Sequence, residues 1–241
     1  MSETPVTPTR VDVVIPCYNE AGVLRESTAT TLSLFDEHPE FEWNLVIADN
    51  GSTDGTGDLA RELAAEDGRV RALLLTVKGR GLALREAWLA SDAPVVAYMD
   101  VDLSTDLSHL PPLVGLVAAD RCDIAIGTRL AKGSDTKRQL SREITSRGYV
   151  ALIRLFFPRL RIIDAQCGFK ALNRKAVEAV VPEIENRMWF FDTEMLILAQ
   201  KKGLRIRELP VRWVEDRDSK VNVLNTAAED IRGLLRMRFR R

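Results

Sequence analysis

The chain has 241 residues, 46% of them hydrophobic, and its 34 basic and 35 acidic side chains leave a net charge of -1. This length suits one sizeable α/β domain with a real core, and the near-neutral balance excludes the global positive field expected of a nucleic-acid binder. Three scattered cysteines (Cys17, Cys122, Cys167) and two histidines (His38, His109) argue against a disulfide framework, zinc or copper, and leave oxygen-ligated magnesium or manganese as the metal to look for.

Residues 1–10 are polar and rich in Pro and Thr, lack the blocks of a signal peptide, and read as a disordered tail. Short β-branched runs then alternate with longer amphipathic segments. They are Val11 to Ile15 and Glu20 to Phe35, Leu45 to Ala48 and Gly55 to Ala65, Val70 to Leu75 and Gly81 to Ala90, Val95 to Met99 and Leu107 to Ala118, and then Ile124 to Ile126. The alternation predicts a mostly parallel sheet covered by helices. Ligands of such sheets bind beyond the C-terminal ends of the strands, and the polar motifs fall there.

Four loops occupy those positions. The first is Pro16-Cys17-Tyr18-Asn19-Glu20, and the second is Asp49-Asn50-Gly51-Ser52-Thr53-Asp54-Gly55-Thr56. The second also reads simply as an Asp/Asn/Gly turn that caps a helix. The third, Lys78-Gly79-Arg80-Gly81, pairs glycines with cations but lacks the Walker pattern, so ATP hydrolysis has no support. The fourth ends the apolar run Val96 to Leu103 with Asp100 and Asp102. On an extended strand, residues i and i+2 point the same way, so these carboxylates can converge on one hard cation; a solvated strand end before a helix cap is the plainer alternative.

The second half differs in character. A polar link, Lys132 to Lys137, leads into a predicted helix from Arg138 to Phe157. Arg138, Arg142 and Ser146 recur every four residues, which suits a phosphate receptor or equally a solvated charged face. The stretch Tyr149 to Phe157, with Arg154, Arg159 and Arg161 nearby, suits a helix in the bilayer interface or ordinary core packing. No apolar stretch approaches the roughly 20 residues needed to span a bilayer. The basic, amphipathic end Arg232 to Arg241 suits anionic headgroups, at about 1 kcal/mol per cation near the surface, or a frayed terminus.

In this order and spacing, the first, second and fourth loops resemble those of the family 2 inverting glycosyltransferases with a GT-A fold, and the likeness covers nearly the whole chain. Asp164-Ala165-Gln166-Cys167-Gly168-Phe169-Lys170, Phe191-Asp192-Thr193-Glu194 and Pro210-Val211-Arg212-Trp213 are similar to the branch that makes polyprenyl-phosphate sugars, above all its dolichyl-phosphate β-glucosyltransferase group. The resemblance implies a Rossmann-like GT-A domain over residues 11–220. Its nucleotide-sugar half is 11–130 and its acceptor half 131–220, with a basic amphipathic helix at 221–241. The form of the Asp164 to Lys170 motif implies a UDP-sugar as donor in preference to GDP-mannose. Ser104 stands where the mannose synthases carry a metal-contacting Gln.

The same resemblance implies the site. Pro16, Tyr18 and Glu20 line the nucleoside pocket with Gly51, Asp49 accepts a hydrogen bond from the base, and Lys78 and Arg80 assist the diphosphate. Asp102, with Asp100, holds Mg2+ or Mn2+. Arg129, Arg142 and Ser146, with Arg138 in addition, hold the phosphate of a polyprenyl (dolichyl-type) acceptor. A phosphate monoester is largely dianionic at neutral pH and needs no general base. A hydroxyl acceptor would need one, for which Asp192 and Asp164 are candidates, although Asp192 also reads as a helix cap and Asp164 as a loop brace. The expected product is β-linked, formed by inversion at the cytosolic face of a membrane by a peripheral enzyme, with an integral partner or flippase to move it. The competing expectations are GDP-mannose as donor, a hydroxyl acceptor, or a non-catalytic nucleotide-sugar binding module.

Overall fold

Apolar runs of five to ten residues form the central strands, which are buried on both faces as a largely parallel sheet demands. The structure is a computed structural model that describes residues 7–137, 140–160, 162–214 and 223–239, with the side chains of 137, 140–144 and 223–227 outside that description. In chain order the first half comprises β1 (Thr9–Cys17), α1 (Ala21–Glu37), β2 (Phe41–Asn50), α2 (Thr56–Glu66), β3 (Val70–Leu75), α3 (Arg80–Ala90), β4 (Val95–Met99), α4 (Leu110–Ala118) and β5 (Ile124–Thr128). The second half comprises β6 (Asp135–Lys137), α5 (Leu140–Phe156), β7 (Phe169–Asn173), α6 (Arg174–Val180), α7 (Phe191–Lys201), β8 (Ile206–Pro210), β9 (Arg212–Val214) and α8 (Val223–Phe239).

The strands order as β3-β2-β1-β4-β7-β5-β8, and β6 pairs with β9 in a separate ribbon. All the neighbours in the large sheet are parallel except β7, which runs against both β4 and β5. The C-terminal ends of β1, β2, β4 and β5 therefore share one edge, and β7 begins at that edge. Alternation divides the core into two layers. Val14, Val96 and Tyr98 face α3, α5, α6, α7 and α8, while Val13, Ile15, Ala97 and Met99 face α1, α2 and α4.

Several predicted boundaries shift for local reasons. β1 starts at Thr9, so two residues of the segment read as a tail pair with Phe41 and Glu42. The helix expected from Leu107 begins instead as a 3-10 turn, Leu107–His109, whose Asp106 side chain accepts from the Ser108 N–H. Pro111 and Pro112 follow in the first turn of α4, where their missing N–H groups are not needed. In α5 and the residue after it, Ile153 is buried and Tyr149, Leu152, Phe156 and Phe157 pack partly against the core, so core packing accounts for most of that apolar stretch, while Leu155 is 77% exposed.

The C-terminal helix is also part of the fold. Leu234 and Met237 are fully buried, and Gly233 lies so close to the Phe190 ring that an added Cβ would stand 2.4 Å from it. Arg236 turns inward to Glu185 and Glu194. Among the described residues no helix is long and apolar enough to cross a membrane.

Candidate active site

The edge shared by β1, β2 and β4 collects the polar loops. β4 ends at Met99, and the chain turns through Val101 and Asp102. The Leu103 N–H donates to the Asp100 carbonyl at 3.3 Å, and Leu103 has φ +50°. This corrects one expectation: the two carboxylates share a turn rather than one face of an extended strand, because pairing in the sheet stops before Asp100. Asp100 is half-exposed. Asp102 is exposed and its Oδ1 accepts from the Ser104 N–H at 2.9 Å.

Asp100 does not hang free in the cleft. Arg80 Nη2 donates to its Oδ1 at 2.8 Å, and Arg80 Nη1 donates to Asp192 Oδ2 at 2.9 Å. The Arg80 guanidinium lies 5.0 Å from the Tyr98 ring centroid and 5.1 Å from that of Trp189. Asp192 Oδ1 also receives the Tyr98 hydroxyl, and Lys170 Nζ approaches it to 2.9 Å. Lys170 itself is fully buried and donates to Tyr98 Oη at 3.0 Å and to the Cys167 carbonyl. A buried charge on a strand requires such a cluster, since an unpaired ammonium there is strongly disfavoured.

Two glycines permit these contacts. At Gly81 a Cβ would stand 2.6 Å from the Phe191 Cβ, so only glycine lets α3 begin against the start of α7 and bring Arg80 to Asp192. At Gly168 a Cβ would stand 1.7 Å from Asp100 Oδ2. Asp100 is thus held between Arg80 on one side and bare backbone on the other.

Burial alone would raise the Asp192 carboxyl, but the Lys170 and Arg80 cations and the Tyr98 hydrogen bond outweigh it and hold it below the usual carboxylate range. Desolvation, then Asp192, pushes the Tyr98 phenol well up. Asp192 is consequently a weak base with both oxygens engaged, which differs from the accessible base expected for a hydroxyl acceptor.

The loops after β1, β2 and β3 are stapled to one another. Asn50 Nδ2 donates to the Cys17 carbonyl at 2.6 Å, and its Oδ1 accepts from the Gly79 N–H at 3.2 Å, which ties three loops together. The Asn19 N–H donates to Ser52 Oγ at 2.8 Å, and the Thr53 N–H donates to Asn19 Oδ1 at 2.8 Å. Asp54 receives the N–H groups of Ala21 and Thr56, while the Glu20 N–H donates to Thr56 Oγ1. Asp49 is buried, with Oδ1 accepting from the Ser52 N–H at 3.3 Å. Lys78 Nζ stands 3.6 Å from the Tyr18 ring centroid. Pro16 is buried at the end of β1, Tyr18 and Glu20 are half-buried, and Gly51 lies at the turn after β2. The structure therefore brings Pro16, Tyr18, Glu20, Asp49, Gly51 and Lys78 to one rim.

The residues expected at the acceptor phosphate divide differently. Arg129 follows β5, and its Nε and Nη2 donate to the two oxygens of Asp164 at 2.8 and 2.9 Å, with its backbone N–H adding a third bond at 3.0 Å. Burial would raise the Asp164 carboxyl, yet Arg129 outweighs it and lowers it. Glu208 Oε1 accepts from the N–H groups of Ile163 and Asp164, which fixes the loop from its other side. Asp164 is a brace, and Arg129 is its counter-ion. Ser146 is half-buried on α5; Arg138 and the Arg142 side chain lie outside the described residues.

The sequence motifs place Arg80 only loosely and single out none of Tyr98, Asn50, Lys170 and Trp189 individually. The signal for Lys170 was a lysine inside an otherwise apolar strand sequence, Phe169-Lys170-Ala171-Leu172. Such a lysine needs a buried anion, and Asp192 supplies it.

The family model Glycosyl transferase family 2 matches residues 12–181. The chain is 39% identical over 216 residues to glycosyltransferase AglD of Haloferax volcanii, an alignment covering 89% of this chain and 34% of AglD. It is 29% identical over 230 residues to the dolichyl-phosphate beta-glucosyltransferase of Saccharomyces cerevisiae, covering 88% of this chain and 69% of that protein. The human dolichyl-phosphate beta-glucosyltransferase is 29% identical over 235 residues, covering 89% and 71%. The chain thus spans about a third of AglD and about two thirds of the other two. Among solved structures, glucosyl-3-phosphoglycerate synthase from Mycobacterium tuberculosis, in complex with Mn2+, UDP and phosphoglyceric acid, superposes with a TM-score of 0.70 at 17% identity, covering 96% of this chain and 79% of that one. That similarity establishes a shared GT-A fold.

Proposed function

The chain belongs to glycosyl transferase family 2, an enzyme family, and on that premise we propose that it transfers a hexose or N-acetylhexosamine from a UDP-sugar to a polyprenyl phosphate with inversion, giving a β-linked product. The observation that carries this reading is the turn holding Asp100 and Asp102 at the C-terminal edge of β4, beside the rim formed by Tyr18, Asp49 and Lys78. Relatives named dolichyl-phosphate beta-glucosyltransferase support the acceptor class, and a fold neighbour with bound UDP and Mn2+ supports the donor class and the cation.

The donor set fits a divalent cation. Asp100 and Asp102 offer hard carboxylate oxygens two residues apart, which suits Mg2+ or Mn2+. Such an ion neutralises charge on a departing diphosphate. The chain's own residues do the rest. Pro16, Tyr18, Glu20, Asp49 and Gly51 receive the nucleoside, and Lys78 adds a cation on the same rim. Arg142 and Ser146 of α5, with Arg138, hold the acceptor phosphate, and the Asp164 brace fixes Arg129. The phosphate oxygen attacks the anomeric carbon opposite the leaving diphosphate, and no proton needs removing. The fully engaged Asp192 supports this base-free route over transfer to a hydroxyl.

A bilayer location follows from the acceptor and is supported by surface chemistry. Leu155 is 77% exposed and Phe239 is 75% exposed. Arg159, Lys201 and Arg238 border the neighbouring apolar groove formed by Phe156, Phe157 and Met237. Apolar side chains ringed by cations suit anionic headgroups.

The test is a panel of UDP-glucose, UDP-galactose, UDP-N-acetylglucosamine and GDP-mannose, each offered with polyprenyl phosphate or a simple glycoside and read by mass spectrometry. A metal-dependent, β-linked polyprenyl-phosphate hexose from a UDP-sugar is expected. Transfer only to the glycoside, or only from GDP-mannose, would overturn the reading.

A further inference from the structure

Arg80 joins two carboxylates of opposite character. Asp192 is buried at the start of α7, with its side chain 4% exposed; Asp100 lies at the mouth of the cleft with its side chain 45% exposed. The buried part of the cluster is already neutral without Arg80, because Lys170 stands 2.9 Å from Asp192. A half-exposed carboxylate such as Asp100 is reached by water and needs no counter-ion to remain ionised. Packing therefore does not account for a guanidinium that is itself 89% withdrawn from solvent, its side chain being 11% exposed, and held between Tyr98 and Trp189 with one nitrogen on each carboxylate. Holding Asp100 in one rotamer before ligands arrive does account for it, since ordering done in advance is not charged against binding.

We infer that Arg80 and Asp192 are positioning residues for Asp100: Asp192 anchors the guanidinium, and Arg80 fixes the Asp100 carboxylate in the orientation that a divalent cation meets. The inference rests on Asp100 and Asp102 forming the cation site. Neither positioning residue takes a proton or attacks the sugar. The bridge needs two nitrogens on a rigid planar fork, which a lysine ammonium does not provide although it keeps the charge.

The test measures Mn2+ binding to the whole chain by electron paramagnetic resonance, with and without UDP and with no acceptor present. Arg80→Lys is expected to weaken Mn2+ binding about tenfold in both conditions, the scale of one lost charge-assisted hydrogen bond. Because the charge is retained, a change in repulsion toward the metal does not explain the loss. Asp192→Asn should weaken binding in the same direction although Asp192 is too buried to touch metal or nucleotide, and the double variant should be no worse than the poorer single variant. Wild-type Mn2+ affinity in Arg80→Lys would overturn the inference. So would a loss seen only with UDP, which would make Arg80 a diphosphate contact, or additive losses in the double variant. Arg80→Lys decides the question without Asp192→Asn if the latter does not fold. Wild-type protein that binds no Mn2+ would overturn the cation reading itself and this inference with it, so the two failures are distinguishable.

Discussion

Gly168→Ala separates the site from the stability of the fold. A Cβ at this position would stand 1.7 Å from Asp100 Oδ2 and 2.4 Å from its carboxyl carbon, whereas ordinary contact begins near 3.4 Å. The carboxylate must therefore retreat by about 1.7 Å, the shortfall from ordinary contact. Arg80 closes the opposite side, so the carboxylate has no room to back straight away and must swing aside, which breaks the 2.8 Å bond from Arg80. Asp100 is half-exposed, so water replaces that bond, and the expected loss of stability is about 1 kcal/mol or less. Catalysis has no such compensation, since a misplacement on the order of 1 Å costs about 10²-fold. Turnover of UDP-sugar and Mn2+ affinity, measured beside thermal unfolding, should show kcat/KM reduced about 100-fold with Tm shifted by only a few degrees. An alanine variant with wild-type turnover and Mn2+ affinity would refute the placement of Asp100. A variant that unfolds in proportion to its lost activity would refute the separation.

Three other outcomes follow from the same geometry. Asp230, 3% exposed on α8, has its carboxyl pushed up to about 7 chiefly by burial, and keeping it ionised costs on the order of 4 kcal/mol. A carboxyl raised in the folded state lowers stability progressively as pH rises from about 4 to about 7. Asp230→Asn should therefore gain little at pH ~4.5 and about 2–4 kcal/mol at pH ~8 by urea unfolding, and equal gains at both would contradict the assignment. Arg129→Met should cost about 3–5 kcal/mol of unfolding free energy, because it leaves Asp164 buried without its cation. A raised KM for lipid phosphate at unchanged stability would instead return Arg129 to a purely acceptor-binding role. Leu155→Ser combined with Phe239→Ser should reduce partition onto anionic vesicles severalfold while leaving the core intact. Unchanged partition would remove that surface from the membrane reading.

The loops were legible because each follows a strand, and a parallel sheet sends its ligand chemistry to the C-terminal ends. Pro16 to Glu20, Asp49 to Thr56, Lys78 to Gly81 and Asp100 to Asp102 all lie where that rule puts them. The internal pairings were not legible. Arg80 meets Asp192 across 112 positions and Tyr98 meets Asp192 across 94, and nothing local in either segment encodes its partner. The pleat argument for Asp100 and Asp102 failed because it extended β4 past its last paired residue, Met99. Arg129, expected at the acceptor phosphate from the family resemblance, also pairs with a carboxylate 35 residues away, and nothing in its own loop encodes that pairing. The basic tail looked detachable, yet Gly233, Leu234 and Met237 bind it to the core at a spacing that polar neighbours obscured.

The reversed strand also governs how the chain can come together. Met99 pairs with Phe169 and Val95 with Asn173, so the middle of the sheet closes only after most of the polypeptide exists. Before then β4 and β5 each present an open edge of unpaired N–H and carbonyl groups, a template for pairing with other chains. Such distant pairing is slow to form, and here it waits until β1 to β5 have all been made. Residues 11–130 are therefore no free-standing module. Cut before Phe169, the chain would carry its loops but leave β4 uncovered, and the expected fate is aggregation; extended through Asn173 it gains the strand that covers β4, but its buried Lys170 finds its anion only when the chain runs on into α7 and supplies Asp192.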